Sequence, residues 1–376
     1  MAEHVLVTGG AGFVGSFLVD ELIASGRSVT VLDSLEPQVH GTKRDRPTYL
    51  SPHARLIVGD VRDRDAVKKA IEGVDVIFHL AAKVGVGQSM YEIREYVDVN
   101  TLGGATILDV LVRERHRVRK VVVASSMSIY GEGAYRCQEC GVVASALRPI
   151  EQLRAREWEV RCPLCGRPVA PIPTNEAKPL LPTSIYAITK RDHEEMFLST
   201  GLAYGVPTVA LRYFNIYGPR QALSNPYTGA AAIFCGRLLN RKPPVIFEDG
   251  QQSRDFIHVS DIVQANLLAM EKAEADYEVF NVGTGRQVTI LEVAEVLREK
   301  LAPGLEIQPQ IEQTFRQGDI RHCFADITKI QQRLGFMPRI QFADGVADLV
   351  RWVSAQQAGD TFDSAHDELR VRGLVM

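Results

Sequence analysis

The first part of the chain alternates short runs of branched apolar residues with longer stretches whose apolar positions recur every three to four residues. His4–Thr8 (HVLVT) and Ser28–Asp33 (SVTVLD) read as buried strands, and 55–60, 75–82, 118–126 and 206–215 as four more. Apolar runs of this length without polar alternation mark strands covered on both faces. GFVGSFLVDELIASG lies between the first two, apolar at helical spacing and stopping at Gly26; RDAVKKAIEG repeats the pattern before the fourth strand. Strands alternating with helices imply right-handed crossovers, hence an α/β fold with a doubly wound parallel sheet of the Rossmann type.

The rhythm breaks over 132–178, a segment rich in Cys, Arg, Pro and Glu with no long period, which reads as an insertion. Beyond residue 218 the alternation is less regular. Pro243-Pro244 and Asp249-Gly250-Gln251 mark turns, and a helix is expected over 288–301, so a smaller second lobe follows.

Composition adds exclusions. The 376 residues carry 43 basic and 46 acidic side chains, a net charge of -3, with 45 % hydrophobic and 24 % charged residues. That is a globular balance with apolar mass for a full core. Near-neutral charge argues against nucleic acid or an anionic membrane as partner. No apolar run approaches the ~18 residues that span a bilayer. MAEHVLVTGG lacks the basic-then-apolar pattern of a secretory leader, so a cytoplasmic location is expected.

The first strand runs into Thr8-Gly9-Gly10-Ala11-Gly12-Phe13-Val14-Gly15, which opens the first helix. Glycines at 9, 12 and 15 allow a tight turn, close approach of backbone to a pyrophosphate, and close helix–strand packing. The helix N-terminus offers free N–H groups and a positive dipole end to phosphate. Asp33 ends the second strand, 18 residues after Gly15. Its carboxylate suits a ribose 2′-OH and repels a 2′-phosphate, which favours NAD over NADP.

Tyr186-Ala187-Ile188-Thr189-Lys190 places Tyr and Lys one helical turn apart on one face. A phenol with an ordinary pKa near ~10 must be shifted by ~3 units to act near neutrality, roughly 4 kcal/mol, about what one cation at ~4 Å supplies at an effective dielectric of ~20. Tyr186 beside Lys190 and an oxidised nicotinamide would therefore serve as a base. Ser125, Ser126 and Ser128 follow the fifth strand at its carboxyl end, where open α/β sheets bind ligands. A hydroxyl there can relay a proton to Tyr186.

The ordered set TGGAGFVG, ASSMSIYG, YAITK, RYFNIYGPRQ, SRDFIHVSDI, NVGTG and RQGDIRHCFAD resembles the extended short-chain dehydrogenases/reductases, and among them the NAD-dependent sugar-nucleotide epimerases and dehydratases. The likeness covers nearly the whole chain outside 132–178 and the tail. It implies Tyr186 as catalytic base, Lys190 as its electrostatic partner and ribose ligand, and Ser126 as the assisting hydroxyl. On the cofactor side it implies Asp60 and Val61 at the adenine, together with Leu80, Ala81, Ala82 and Asn100. On the substrate side it implies Ser128, Asn215 and Asn225 near the sugar and diphosphate, and Arg254, Arg316 and Asp319 on the diphosphate and nucleoside. His79 is expected to pack near the cofactor without chemistry of its own.

The same resemblance orders the possible reactions. A 4,6-dehydratase carries an Asp-Glu pair three and two residues before the tyrosine of the serine motif. Those positions here are Met127 and Ser128, and neither is an acid at neutral pH. What remains is epimerisation at C4 through a 4-keto sugar, with the cofactor regenerated each turn. RQALSNPYTGAAAIFCGRLLNRKPPVIFEDG and the cysteine insert resemble dTDP-L-rhamnose 4-epimerases. A 4-epimerase of UDP-glucose, UDP-N-acetylhexosamine or UDP-uronate, a nucleotide-sugar dehydrogenase or reductase, and a non-enzymatic NAD-binding module are the alternatives.

Four of the six cysteines fall within 29 residues, as Cys137-x-x-Cys140 and Cys162-x-x-Cys165. Two knuckles with a spacer of about 20 residues suit structural zinc held by four thiolates. Disulfides are disfavoured without an oxidising compartment. The insert begins just after Ser126 and ends just before Tyr186, so a zinc-pinned lid that shapes sugar choice is expected. Cys235 and Cys323 read as core thiols.

The expected organisation is a first part of the NAD domain over 1–131, the zinc insert over 132–178, and a continued NAD domain over 179–218. A substrate lobe follows over 219–355, of which 254–282 partly returns to the NAD domain, and a tail occupies 356–376. The family resemblance implies a homodimer formed by the helix starting near Tyr186 and the stretch around 91–115.

Overall fold

The computed structural model describes residues 2–42, 44–356 and 359–376. Its centre is a parallel seven-stranded sheet of β1 (His4–Thr8), β2 (Ser28–Asp33), β3 (Arg55–Val58), β4 (Val76–His79), β5 (Lys120–Ser126), β6 (Thr208–Tyr213) and β7 (Val279–Val282). The spatial order is β7-β6-β5-β4-β1-β2-β3. Six strands fall where the apolar runs put them, several of them shorter than the runs. The seventh is four residues long and carries Asn281, too little apolar pattern to read alone.

Each strand sends alternate side chains to opposite faces. Val5, Val7, Val29 and Val31 join one core, and Leu6, Leu32, Val121 and Val123 the other. α1 (Phe13–Ala24) covers the first core with Leu18, Val19 and Leu22. α2 (Arg64–Ile71), α3 (Gly103–Arg113) and α4 (Ile185–Tyr204) cover the second through Val67, Ile107, Leu111 and Phe197. α5 (Val259–Glu271) returns to the first face with Ile262, Ala265 and Ala269. β1 lies between β2 and β4, with Val5 opposite both Val29 and Val76. The chain order reverses at β1, so the crevice at the carboxyl ends of β1 and β4 is the natural ligand position of such a sheet.

The second lobe packs Ala230–Leu239, Ile290–Leu301 and Phe342–Val353 around Phe234, Val293, Leu297, Val346 and Leu349. The insert is a small antiparallel sheet, Ala134–Cys137 between Gly141–Ala144 and Ala170–Ile172, with its own core of Tyr135, Cys137, Val143, Val160 and Cys162. Helix Phe362–Val371 leads to a final strand-like pairing in which Phe315 N–H donates to the Met376 carbonyl at 2.9 Å and Met376 N–H returns to Phe315 at 3.0 Å.

α4 carries the Tyr-Lys pair, and its start is set by Ser184, whose hydroxyl accepts from Ala187 N–H at 3.1 Å. Gly205, at φ +68, ends it in the left-handed region. Replacing Ser184 by Ala removes the cap and should cost about 1 kcal/mol of stability in urea unfolding.

Candidate active site

The Gly-rich turn is forced by space. A Cβ on Gly15 would stand 2.3 Å from the Gly9 carbonyl oxygen, and one on Gly9 would stand 2.8 Å from Ala81 N. Gly9 also has φ +69. No side chain caps the N-terminus of α1, so its first amides are free for an anion. Asp33 is buried at the end of β2; Oδ2 accepts from Ala11 N–H at 3.0 Å and Oδ1 from Leu35 N–H at 2.9 Å. These bonds aim the carboxylate beside the turn and leave it lone pairs for a ribose hydroxyl. Leu80, Ala81 and Ala82 follow β4 on the opposite side of the crevice, where Leu80 and Ala81 N–H groups donate to Thr8. Asp60 and Val61 follow β3. The Asp60 carboxylate is gripped by the Arg62 fork at 2.7 and 3.0 Å, and Val61 is buried. A free α1 terminus, close-packed glycines and a ribose-height carboxylate fit a dinucleotide.

Asn100 is fully buried and engaged by protein. Its Oδ1 accepts from Lys83 N–H at 2.8 Å, and Nδ2 donates to the Lys83 carbonyl at 3.1 Å and to Thr189 Oγ1 at 2.9 Å. It ties the loop after β4 to α4.

At the end of β5, Ser126 Oγ accepts from Ser128 N–H at 3.2 Å and from Ser128 Oγ at 2.9 Å. The Tyr186 side chain approaches Ser126 from the start of α4. One turn on, Lys190 Nζ donates to the Ala124 carbonyl at 2.9 Å. Ser126, Ser128, Tyr186 and Lys190 are thus assembled by two elements, the carboxyl end of β5 and the start of α4.

The electrostatics differ from the simple expectation of a cation lowering a phenol. Burial pushes Tyr186 up to about 12, opposed by the nearby Ser126 hydroxyl. Burial lowers Lys190 to about 7. Desolvation penalises both charged forms in the protein alone. Behind them His193, lowered to about 3 chiefly by burial, and His79, lowered well below its ordinary value by burial, pack ring to ring at 4.9 Å and stay neutral.

A buried network underlies the pair and was not anticipated. Glu194 accepts from Ser125 Oγ at 2.8 Å and forms a two-armed ion pair with Arg212 at 2.5 and 2.9 Å. Arg212 reaches Tyr130 Oη at 2.7 Å, which donates to Asn281 at 2.7 Å. The only signal in the sequence is the spacing of Tyr186, Lys190 and Glu194 at i, i+4 and i+8.

Among the residues expected on the substrate side, Asn215 Oδ1 is buried with no hydrogen-bond partner among the described residues. Asn225 is held by Gln38 Nε2 at 2.9 Å. Gln38 in turn meets Gln88, and Gln88 meets Glu92. This polar bridge between the NAD side and the second lobe joins distant segments, so no local pattern reveals it. Arg254 donates to the carbonyls of Ser253, Ile320 and Arg321 at 2.7 to 2.9 Å, which leaves part of its fork for a ligand. Arg316 pairs with Asp319 at 2.9 Å and lies over the Phe247 ring at 4.8 Å.

In the insert, the four Sγ atoms of Cys137, Cys140, Cys162 and Cys165 lie within 4.8 Å of one another, with Cys137 and Cys165 3.6 Å apart. Four thiolates at ~2.3 Å from zinc stand about 3.8 Å apart along a tetrahedron edge, so the set has the size of such a site. Each knuckle is followed by a glycine of positive φ, Gly141 at +76 and Gly166 at +74. Backbone N–H groups of Cys140 and Glu139 hold the Cys137 thiol down to about 7.

A model described as the NAD dependent epimerase/dehydratase family matches residues 5–152 and 164–283. The chain belongs to this family. It is 32 % identical over 357 residues to dTDP-L-rhamnose 4-epimerase of Burkholderia thailandensis, covering 94 % of this chain and 96 % of that protein. The solved UDP-glucose 4-epimerase of Thermotoga maritima with UDP-glucose superposes with a TM-score of 0.74 at 30 % identity, covering 93 % and 98 % of the two chains. That of Thermus thermophilus in complex with NAD gives 0.73 at 28 %, covering 94 % and 100 %. The chain is thus an NAD-dependent enzyme of the nucleotide-sugar epimerase family. No described helix is long and apolar enough to cross a membrane.

The Lys190 shift has a sign that can be checked. Folding lowers its pKa from 10.5 to about 7, so between those values the unfolded chain binds the extra proton and stability rises with pH. Lys190→Met removes this contribution. Denaturant unfolding from neutral pH to pH 10 should show the wild type gaining stability relative to the variant, with no relative change below pH about 7.

Proposed function

We propose that the protein interconverts the C4 epimers of a nucleoside-diphosphate sugar, with dTDP-L-rhamnose as the favoured substrate. The observation that carries the reaction is the Ser126–Tyr186–Lys190 cluster beside a dinucleotide turn, with Met127 and Ser128 where an eliminating enzyme would carry acids. Tyr186 Oη takes the proton of the sugar 4-OH and gives it back; Ser126 and Ser128 form the relay that steadies that hydroxyl. Lys190 is the cation that favours the phenolate once a bound ligand restores its charge. Bound NAD supplies the hydride acceptor and donor. Asn215 Oδ1, unsatisfied in the protein, is suited to accept from a sugar hydroxyl. Arg254, Arg316 and Asp319 are suited to the diphosphate and nucleoside, because guanidinium forks match oxyanion geometry. The dTDP preference is supported by the Burkholderia relative, whereas the Thermotoga structure supports UDP-glucose as the second reading.

Two further assignments belong to this reading. The four clustered cysteines hold a structural zinc with no open position. The protein acts as a homodimer through α3, α4 and the turn before them, where Leu102, Ile188, Leu202 and Tyr204 are exposed apolar side chains on helices that are otherwise packed.

Incubating the protein and NAD with dTDP-, UDP- and GDP-sugars should give C4 inversion by NMR for at least one substrate, without net NADH. A stable keto-sugar or stoichiometric NADH from every substrate would overturn the epimerase reading. Tyr186→Phe should lower the rate by about 100-fold or more while NAD remains bound. Replacing Cys137 and Cys140 by Ser should abolish about one equivalent of zinc per chain, measured by elemental analysis.

A further inference from the structure

The insert's position between Ser126 and Tyr186 suggests a cover over the sugar, but its buried charges face elsewhere. Glu132 accepts from the backbone N–H of Arg321 at 2.8 Å and of His322 at 3.4 Å. Arg148 forms a two-armed pair with Glu248 at 2.8 and 2.9 Å and donates to the Asp319 carbonyl at 3.3 Å. Glu159 accepts from Arg321 at 2.6 Å and meets His322 Nε2 at 3.1 Å. Arg321, 1 % exposed, also reaches Glu248 and Asp249. Trp158 of the insert lies 6.5 Å from Phe315, ring to ring.

The segment gripped in this way is the one that bears the candidate diphosphate and nucleoside ligands. Asp319 and Arg316 lie in it, and the Ile320 and Arg321 carbonyls hold the Arg254 guanidinium. Glu132 and Glu159 stand close to the knuckles in sequence, three residues or a few more from Cys137 and Cys162, and Tyr135, Val160 and both those cysteines share one small core. The insert's own apolar core is small, so a metal would add to the fixing of the strands that present the acids.

We infer that the metal-held insert is a clamp on the nucleotide-diphosphate subsite, setting affinity for the nucleotide half of the substrate rather than choosing its sugar. The inference rests on the zinc assignment above, and Arg148 is a positioning residue that acts through Asp319 and the shared pair with Glu248. A displacement of the gripped segment moves Arg254, Arg316 and Asp319 together, while Ser126, Tyr186 and Lys190 are placed by β5 and α4, which touch the segment only at their edges, through Thr183 to the Gly318 carbonyl and through Met127 and Tyr130 against Ile320.

The test uses the full-length protein in two altered forms. One carries Cys137→Ser with Cys140→Ser. The other carries Arg148→Lys, which keeps the charge and all four cysteines but loses the planar fork. Bound NAD and zinc are measured for each, with KM and kcat for dTDP-L-rhamnose and UDP-glucose and inhibition constants for dTDP and UDP. In both forms KM and the inhibition constants should rise together by about tenfold, with kcat far less affected and the ratio of the two sugars unchanged. Arg148→Lys should retain zinc. Unchanged KM and inhibition constants in Arg148→Lys, or in a zinc-free protein that still holds NAD, would overturn the clamp. A changed sugar ratio at constant inhibition constants would also overturn it, in favour of a sugar lid. If the unaltered protein binds no zinc, the metal assignment falls, and Arg148→Lys still decides whether the insert clamps the nucleotide side. If the cysteine variant does not fold, Arg148→Lys again decides.

Discussion

Enclosing a phenol and an amine side by side at the end of β5 is the constraint on which the rest of the site depends. Tyr186 and Lys190 are 9 % and 4 % exposed, and the amine's hydrogen bond in the protein is to the Ala124 carbonyl. In that setting both charged forms are penalised: Tyr186 stays neutral and Lys190 is only about half protonated near neutrality. Full charge on the pair therefore depends on a ligand that brings compensating charge or dipoles.

Holding that enclosure requires a firm floor. The Glu194–Arg212 ion pair provides it, one turn beyond Lys190, by joining α4 to β6 and, through Tyr130 and Asn281, to β7. A buried pair of this kind is weak evidence for stability but specifies geometry, because each partner left alone would be a buried, uncompensated charge. The seventh strand thus matters to the site less as one more strand than as the carrier of Asn281. A second set of buried charges, around Arg321, holds the far side of the cleft. The two sets share no ion pair, and they meet where Met127 and Tyr130 pack against Ile320.

Much of the site was legible in the sequence because its components are local. The Gly9–Gly15 turn needs a fixed spacing after a strand, the Tyr-Lys pair needs one helical turn, and each cysteine knuckle needs only four residues. Six of the seven strands were legible because burial on both faces demands continuous apolar runs. What was not legible is nonlocal. Arg212 looks like a surface cation in RYFN, and Asn225 gives no sign that Gln38 will hold it. Arg148 and Glu159 read as ordinary charges in an irregular segment, although their partners are roughly a hundred residues or more away.

The sequence by itself determined the doubly wound sheet, the Gly-rich turn, the Tyr-Lys pair on one helix face and the paired cysteine knuckles. Each follows from spacing, handedness and burial along a short stretch of chain. Only the tertiary structure decided the protonation balance of Tyr186 and Lys190, the unsatisfied Asn215 oxygen and the direction in which the insert faces. Those depend on what surrounds a group once water is removed, and desolvation is a property of the packed interior rather than of any segment that contributes to it.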